Sequence, residues 1–308
     1  MHRIIYILFF LSSLLNAQNI EESVATYDLS GGEIIQIKAF PSVYISNRNV
    51  NVWLPDNYNE NQLYKVIYMH DGQMLFDAKT TWNGQEWGVD EWATQLQINQ
   101  ETPPFIVVGI HNHPKLRWYE YFPEQALSVS DENQQQILNK LLDSNKYIDS
   151  LLADNYLKFI IEELKPYIDN RFNVSTAAKD TFVMGSSMGG LISLYAVCRY
   201  PQIFGGAACL STHWPGAHIY DSNLLSDLLL HYFKVNIPKS GFHKFYFDYG
   251  NQTLDKYYPK YAPLVDQIMY DKGYSSFNYK QLFFEGANHS EDAWRSRLNQ
   301  PVNFLLNP

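Results

Sequence analysis

The chain has 308 residues, enough to bury a large core and within the range of one α/β domain. Hydrophobic residues make up 46% and charged residues 18%, the balance of an ordinary globular protein. The net charge is -9 and no basic run occurs, which argues against nucleic acid and anionic membranes as partners.

Residues 1–17 read as a secretory signal. His2 and Arg3 give a positive start, 4–15 is apolar, and Leu15-Asn16-Ala17 resembles a small-residue cleavage site before Gln18. The apolar run is short for a bilayer span. The expectation is a signal peptide over 1–17 and one domain over 18–308. The mature protein is then secreted or periplasmic, with no stable membrane insertion after signal removal.

The stretches 34–38 and 43–54 alternate in polarity and carry β-branched residues around Pro41, which predicts an opening antiparallel pair. A short apolar strand at 66–69 runs into the turn His70-Asp71-Gly72-Gln73. A helix is expected over 87–98 and a buried strand over 105–110, set off by Pro103-Pro104. The polar stretch 124–145 reads as a surface excursion or lid. Leu152, Tyr156, Phe159, Ile160 and Leu164 recur at helical spacing, and Pro166 follows them.

Strands are expected at 181–184, 206–210, 244–248 and 279–284, and helices at 188–200, 258–272 and 290–298. Ser290 suits the N-cap of the last helix, with Glu291 and Asp292 in its first turn. The segment 213–230 is expected to cover a cleft. Strands alternating with helices imply a mostly parallel sheet with helices on both faces. Cys198 and Cys209 read as two buried core thiols. Aromatics reach 16%; such rings line sugar or phenolic clefts and, more often, fill cores.

Gly185-Ser186-Ser187-Met188-Gly189 spells G-x-S-x-G between the strand at 181–184 and the helix at 188–200. Three fixed positions arise by accident in roughly one chain in ten of this length, so the flanking strand and helix must raise the signal. In that setting a strained turn presents the Ser187 hydroxyl as a nucleophile. A hydroxyl needs a base, and His289 follows the strand at 279–284 through a small-residue turn. A carboxylate must hold the imidazole tautomer. Asp248 ends the preceding strand, and Asp255 lies beyond Gly250 with more freedom to reach His289; Asp255 is favoured and Asp248 stays open. Main-chain N–H groups of Met188 and Gln73 suit the developing oxyanion. This chemistry calls for no cofactor. His111 and His113 are spaced like a metal pair but lack further ligands.

Four segments together resemble the Putative esterase family of α/β-hydrolases, which includes feruloyl and acetyl-xylan esterases, enterochelin-type esterases, S-formylglutathione hydrolase and mycolyltransferases. They are the run from Tyr68 through His70-Asp71-Gly72-Gln73 to Asp77, then Val108-Gly109-Ile110 with Arg117-Trp118-Tyr119-Glu120, then Met184 to Gly190, and Asn288-His289-Ser290-Glu291-Asp292-Ala293-Trp294. The resemblance implies an α/β-hydrolase fold, Ser187 and His289 as nucleophile and base, and donors at Gln73 and Met188. It transfers the acid less firmly, because some siderophore esterases work with a Ser–His pair. It puts Arg117, Tyr119 and Glu120 near the cleft, as substrate ligands or as an Arg–Glu pair that holds a loop. The implied partner is a small-molecule or polysaccharide-linked ester. An acyltransferase with the same triad, a peptidase and a non-catalytic binder on the same fold are the alternatives.

Overall fold

The computed structural model describes residues 20–129, 136, 151–217 and 224–308. They build a nine-stranded sheet in the order β1-β2-β3-β5-β4-β6-β7-β8-β9. The strands are β1 (Glu21–Val24), β2 (Glu33–Phe40), β3 (Arg48–Leu54), β4 (Lys65–His70), β5 (Phe105–Ile110), β6 (Thr181–Ser186), β7 (Gly206–Leu210), β8 (Lys244–Tyr249) and β9 (Tyr279–Phe283). The pairs β1–β2, β2–β3 and β3–β5 are antiparallel, and the remaining pairs are parallel. This is the expected mostly parallel sheet with an antiparallel N-terminal edge. β1 was not expected. Its sequence Glu-Glu-Ser-Val has no apolar alternation and it forms a short, half-exposed edge strand.

Strands β5, β6 and β7 are buried along their whole length, as parallel strands covered on both faces must be. Alternate side chains feed two cores. Val66, Tyr68, Val108 and Val183 pack under α5 (Met188–Arg199) on one face. Ile67, Met69, Val107 and Met184 pack on the other with Trp87 and Leu96 near or in α1 (Val89–Ile98), Trp294 and Leu305.

Three elements depart from expectation for local reasons. The helix at Pro166 does not stop. A π-helical segment, Phe159–Leu164, joins α3 (Ala153–Lys158) to α4 (Lys165–Arg171), and this widened turn just before Pro166 carries the helix past it. The start of the expected polar excursion is a 3-10 helix, Glu124–Val129, with Ala126 and Leu127 buried. The C-terminal helix Asn299–Leu306, absent from the expectation, buries Val302, Leu305 and Leu306. The expected leader 1–17 and most of 130–145 lie outside the described residues, as does 218–223 within the expected cleft cover; Leu224–Asn236 beyond it is a helix packed into the core. No described helix is long and apolar enough to cross a membrane.

The chain runs from β4 to β5 on one side and returns to β6 on the other. The carboxyl ends of β4 and β6 therefore flank a topological switch point, where open α/β sheets form their crevice.

Candidate active site

The elbow. Between β6 and α5, Ser187 takes φ 58 and ψ -121, a conformation that side-chain-bearing residues avoid. The fold over-determines it. Ser187 N–H donates to Leu210 O at 2.9 Å, and Ser187 O accepts from His213 N at 3.1 Å. A Cβ on Gly185 would lie 2.8 Å from the Gly189 backbone, and one on Gly190 would lie 2.9 Å from Thr212 Oγ1, so the turn closes only around glycine.

The donors. Met188 is the first residue of α5, so its N–H has no partner within the helix. Gln73 lies in the 3-10 turn Gly72–Met74 at the end of β4. The two segments touch: a Cβ on Gly189 would stand 3.6 Å from His70 Cβ and 3.5 Å from Asp71 Oδ2. Gln73 Oε1 accepts from Asn112 N–H at 3.1 Å, which ties the Gln73 turn to the chain after β5.

The base and acid. Asp255 Oδ1 accepts from His289 Nδ1 at 2.6 Å. With Nδ1 carrying the hydrogen, Nε2 presents a lone pair. Asp255 is fully buried, and its Oδ2 accepts from Ser211 Oγ and from Gly250 N–H, both at 2.7 Å. Burial pushes the Asp255 carboxyl up, but the hydrogen bonds from His289, Ser211 and Gly250 outweigh it and hold the group below its usual range. The loops after β8 and β9 are stitched together to make this contact. Asn251 N–H and Gln252 N–H both donate to Ala287 O, at 3.1 and 3.0 Å, and His289 N–H donates to Thr253 Oγ1 at 2.8 Å. The imidazole stands edge-on to Trp294, with centroids 5.0 Å apart.

Asp248 has a different place. Arg297 grips it with Nε at 3.1 Å and Nη2 at 2.9 Å, and both side chains are sealed from solvent. Behind the Asp255 carboxylate, Ser211 Oγ also accepts from Trp294 Nε1 at 3.0 Å and from Arg297 Nη2 at 3.1 Å. Sequence reasoning missed Ser211, Arg297 and Trp294 as a support for the Asp255 carboxylate.

Arg117, Tyr119 and Glu120 lie on α2 (Arg117–Tyr121), but they form no Arg117–Glu120 pair. Arg117 binds Asp71 through two hydrogen bonds of 2.7 Å, and Asn112 Nδ2 adds a third donor at 2.6 Å. Asp71 itself sits at φ 59, so this clamp fixes the turn that carries Gln73. Glu120 is fully buried and held by Arg48 at 2.7 and 2.9 Å. A carboxylate so enclosed offers no oxygen to a cleft, and Glu120 is a structural residue rather than a substrate ligand. Tyr119 is half-buried, and its carbonyl accepts from Leu152 N–H at 2.9 Å.

His111 Nε2 accepts from Asn51 Nδ2 at 3.0 Å, and His113 Nδ1 accepts from two backbone N–H groups at 3.2 Å. Both cysteines are free thiols.

Comparison with known proteins adds the family. The Bacillus subtilis (strain 168) uncharacterized protein YbbA is 24% identical over 251 residues, 79% of this chain and 86% of that protein. Among solved structures, the ferulic acid esterase AmCE1/Fae1A from Anaeromyces mucronatus superposes with a TM-score of 0.60 at 18% identity, covering 94% of each chain. The enterobactin esterase FES from Shigella flexneri superposes with a TM-score of 0.63 at 19% identity; 89% of this chain matches 59% of that one. The shared fold is the α/β-hydrolase fold. The sequence profile of the Putative esterase family matches residues 44–223, more than half of the chain, and the protein belongs to that family.

Proposed function

We propose that the protein is a serine carboxylic-ester hydrolase working through an acyl-enzyme. The observation that carries this reading is the 2.6 Å bond between His289 Nδ1 and buried Asp255, in a fold that also strains Ser187 into an elbow. Ser187 Oγ attacks the ester carbonyl and gives its proton to His289 Nε2. Negative charge gathers on the carbonyl oxygen and is met by the N–H groups of Met188 and Gln73; each such donor is worth about 10²–10³ in kcat. His289 then protonates the leaving alcohol. Water follows the reverse path and frees the acid. Asp255 holds the imidazole in the right tautomer and stabilises it when charged.

Family membership supports ester hydrolysis as the activity. The substrate we propose is a carbohydrate-linked or siderophore ester, in keeping with a chain that carries a leader at 1–17 and acts outside the cytoplasm. A panel of acetylated xylan, feruloyl sugar, catecholate trilactone and short nitrophenyl esters, run beside Ser187→Ala, tests the reading. Hydrolysis of one class that vanishes in the variant is expected; unchanged turnover in the variant overturns it. Adding an alcohol acceptor to the same assay separates hydrolysis from acyl transfer.

A further inference from the structure

Ser211 follows β7 at φ 41 and is sealed from solvent. Its hydroxyl makes three hydrogen bonds, and each has one possible direction. Trp294 Nε1 at 3.0 Å and Arg297 Nη2 at 3.1 Å can only donate, so they fill both lone pairs of Oγ. The single hydroxyl hydrogen therefore goes to Asp255 Oδ2 at 2.7 Å. The main chain is held as well: Ser211 N–H donates to Asp248 O at 2.9 Å and to Asp248 Oδ1 at 3.2 Å. Two of the hydroxyl's partners touch the same imidazole. Asp255 Oδ1 accepts from His289 Nδ1 at 2.6 Å, and the Trp294 ring stands edge-on to the His289 ring, with centroids 5.0 Å apart and planes at 82°. One hydroxyl thus anchors two groups that flank His289 and ties both to the buried Arg297–Asp248 pair.

We propose, resting on the reading of Ser187 and His289 above, that Ser211 is a positioning residue that fixes the His289 imidazole and sets the pH range over which it serves as a base. Arg297 polarises the Ser211 hydroxyl toward Asp255, and hydrogen bonds in such a chain strengthen one another. Negative charge on Asp255 is drawn toward Ser211 and away from Oδ1. The carboxylate then aligns the imidazole without over-stabilising its charged form. Other groups face the same ring. Tyr258 stands edge-on to it at 5.9 Å, with its hydroxyl 2.8 Å from His213 Nδ1, and His289 N–H donates to Thr253 Oγ1. On the helix that follows His289, Glu291 accepts from Asn83 Nδ2 at 2.9 Å, and Arg295 pairs with Glu86 and Glu91. Asp255 Oδ2 also accepts from Gly250 N–H, a main-chain donor that a side-chain change leaves in place. Ser211 is therefore the side chain through which the charge of that oxygen can be altered.

Ser211→Ala removes the hydroxyl, and Ser211→Gly removes it while suiting φ 41. With nitrophenyl acetate, kcat is expected to fall about 10- to 100-fold in both at nearly constant KM, the scale of a lost orienting contact. Asp255 then keeps its full charge on the imidazole and favours the protonated ring, so the acid limb of kcat/KM against pH is expected to move up by about half a unit or more. Trp294→Phe keeps a ring beside His289 but lacks the N–H, and it reads the same hydroxyl in a protein that retains Ser211. A loss of about threefold is expected there, and the double variant with Ser211→Ala should lose no more than Ser211→Ala alone. Additive losses, or a loss of kcat with the acid limb unmoved, overturn the proposal. A lower melting temperature with kcat and the pH profile unchanged makes Ser211 merely structural and overturns it too. Turnover that survives Ser187→Ala overturns the reading of nucleophile and base, and this proposal with it. Turnover that needs Ser187 but is indifferent to Ser211→Ala, Ser211→Gly and Trp294→Phe overturns this proposal alone.

Discussion

Replacing Asp255 with Asn changes one atom, and the structure dictates where that atom goes. Oδ2 accepts from Gly250 N–H and Ser211 Oγ, and the Gly250 N–H can only donate. The amide oxygen must therefore take the Oδ2 position, and the amide nitrogen faces His289 Nδ1. That nitrogen donates, so Nδ1 becomes an acceptor and the hydrogen moves to Nε2, which removes the base. An inverted tautomer costs about 10⁴ in kcat, or about 5 kcal/mol of barrier. Stability should change little, because the amide keeps the same shape and bonds. Asp248→Asn reverses the pattern. It strips a buried guanidinium, Arg297, of its counter-charge, a loss of about 3–5 kcal/mol in folding. The melting temperature then falls by roughly 6–12 °C, while kcat of the folded protein stays within about tenfold of the original, since only the support behind Ser211 is altered. Nitrophenyl acetate turnover and thermal unfolding followed by circular dichroism read both variants. Asp255→Asn keeping activity within tenfold, or Asp248→Asn losing turnover at full stability, would refute the assignment of acid and support.

Three further outcomes follow from particular contacts. Arg117→Leu frees Asp71 and loosens the turn that carries Gln73, so kcat should fall about 10²-fold with KM nearly unchanged; a raised KM at constant kcat would instead make Arg117 a substrate ligand. Gly72→Ala puts a Cβ 2.4 Å from the Gly109 carbonyl carbon and should cost about 1–3 kcal/mol in urea unfolding, with a loss of turnover; a fully stable, active variant would contradict that packing. Burial, with Glu91 and Glu86 close by, pushes Asp90 up to about 7 against the bond from Ser30 N–H. A carboxyl raised above its unfolded value loses its contribution as pH rises from about 4 through 7, so Asp90→Asn should stabilise the protein more at pH 8 than at pH 5. Equal effects at both pH values would count against a buried, costly charge.

The parallel core was legible because its strands are short runs without a charged or amide side chain to confuse them, Phe-Ile-Val-Val-Gly-Ile at Phe105–Ile110 and Gly-Ala-Ala-Cys-Leu at Gly206–Leu210. The elbow was legible because its glycines, serine and flanking elements are local. The carboxylate that meets His289 was only half legible: Asp248 lies near the end of β8 and Asp255 just beyond it, and what separates them is Arg297, 49 residues from Asp248. Tyr258 and His213 are 45 residues apart, and Ser211 and Arg297 are 86 apart, so no window of sequence contains either pair. The segment Arg117-Trp118-Tyr119-Glu120 marked the right neighbourhood with the wrong partners. Its charges look paired to each other, yet each reaches a residue on or just beyond another strand, Asp71 after β4 and Arg48 on β3.

The central claim is that Ser187 becomes acylated. A fluorophosphonate reacts covalently with an activated serine hydroxyl, and its adduct can be weighed and mapped by peptide mass spectrometry. One adduct per chain on Ser187 is predicted, formed in step with loss of ester turnover and absent from Ser187→Ala and strongly slowed in Asp255→Asn. An adduct on another residue, or full hydrolytic activity in the Ser187→Ala protein, would contradict the account.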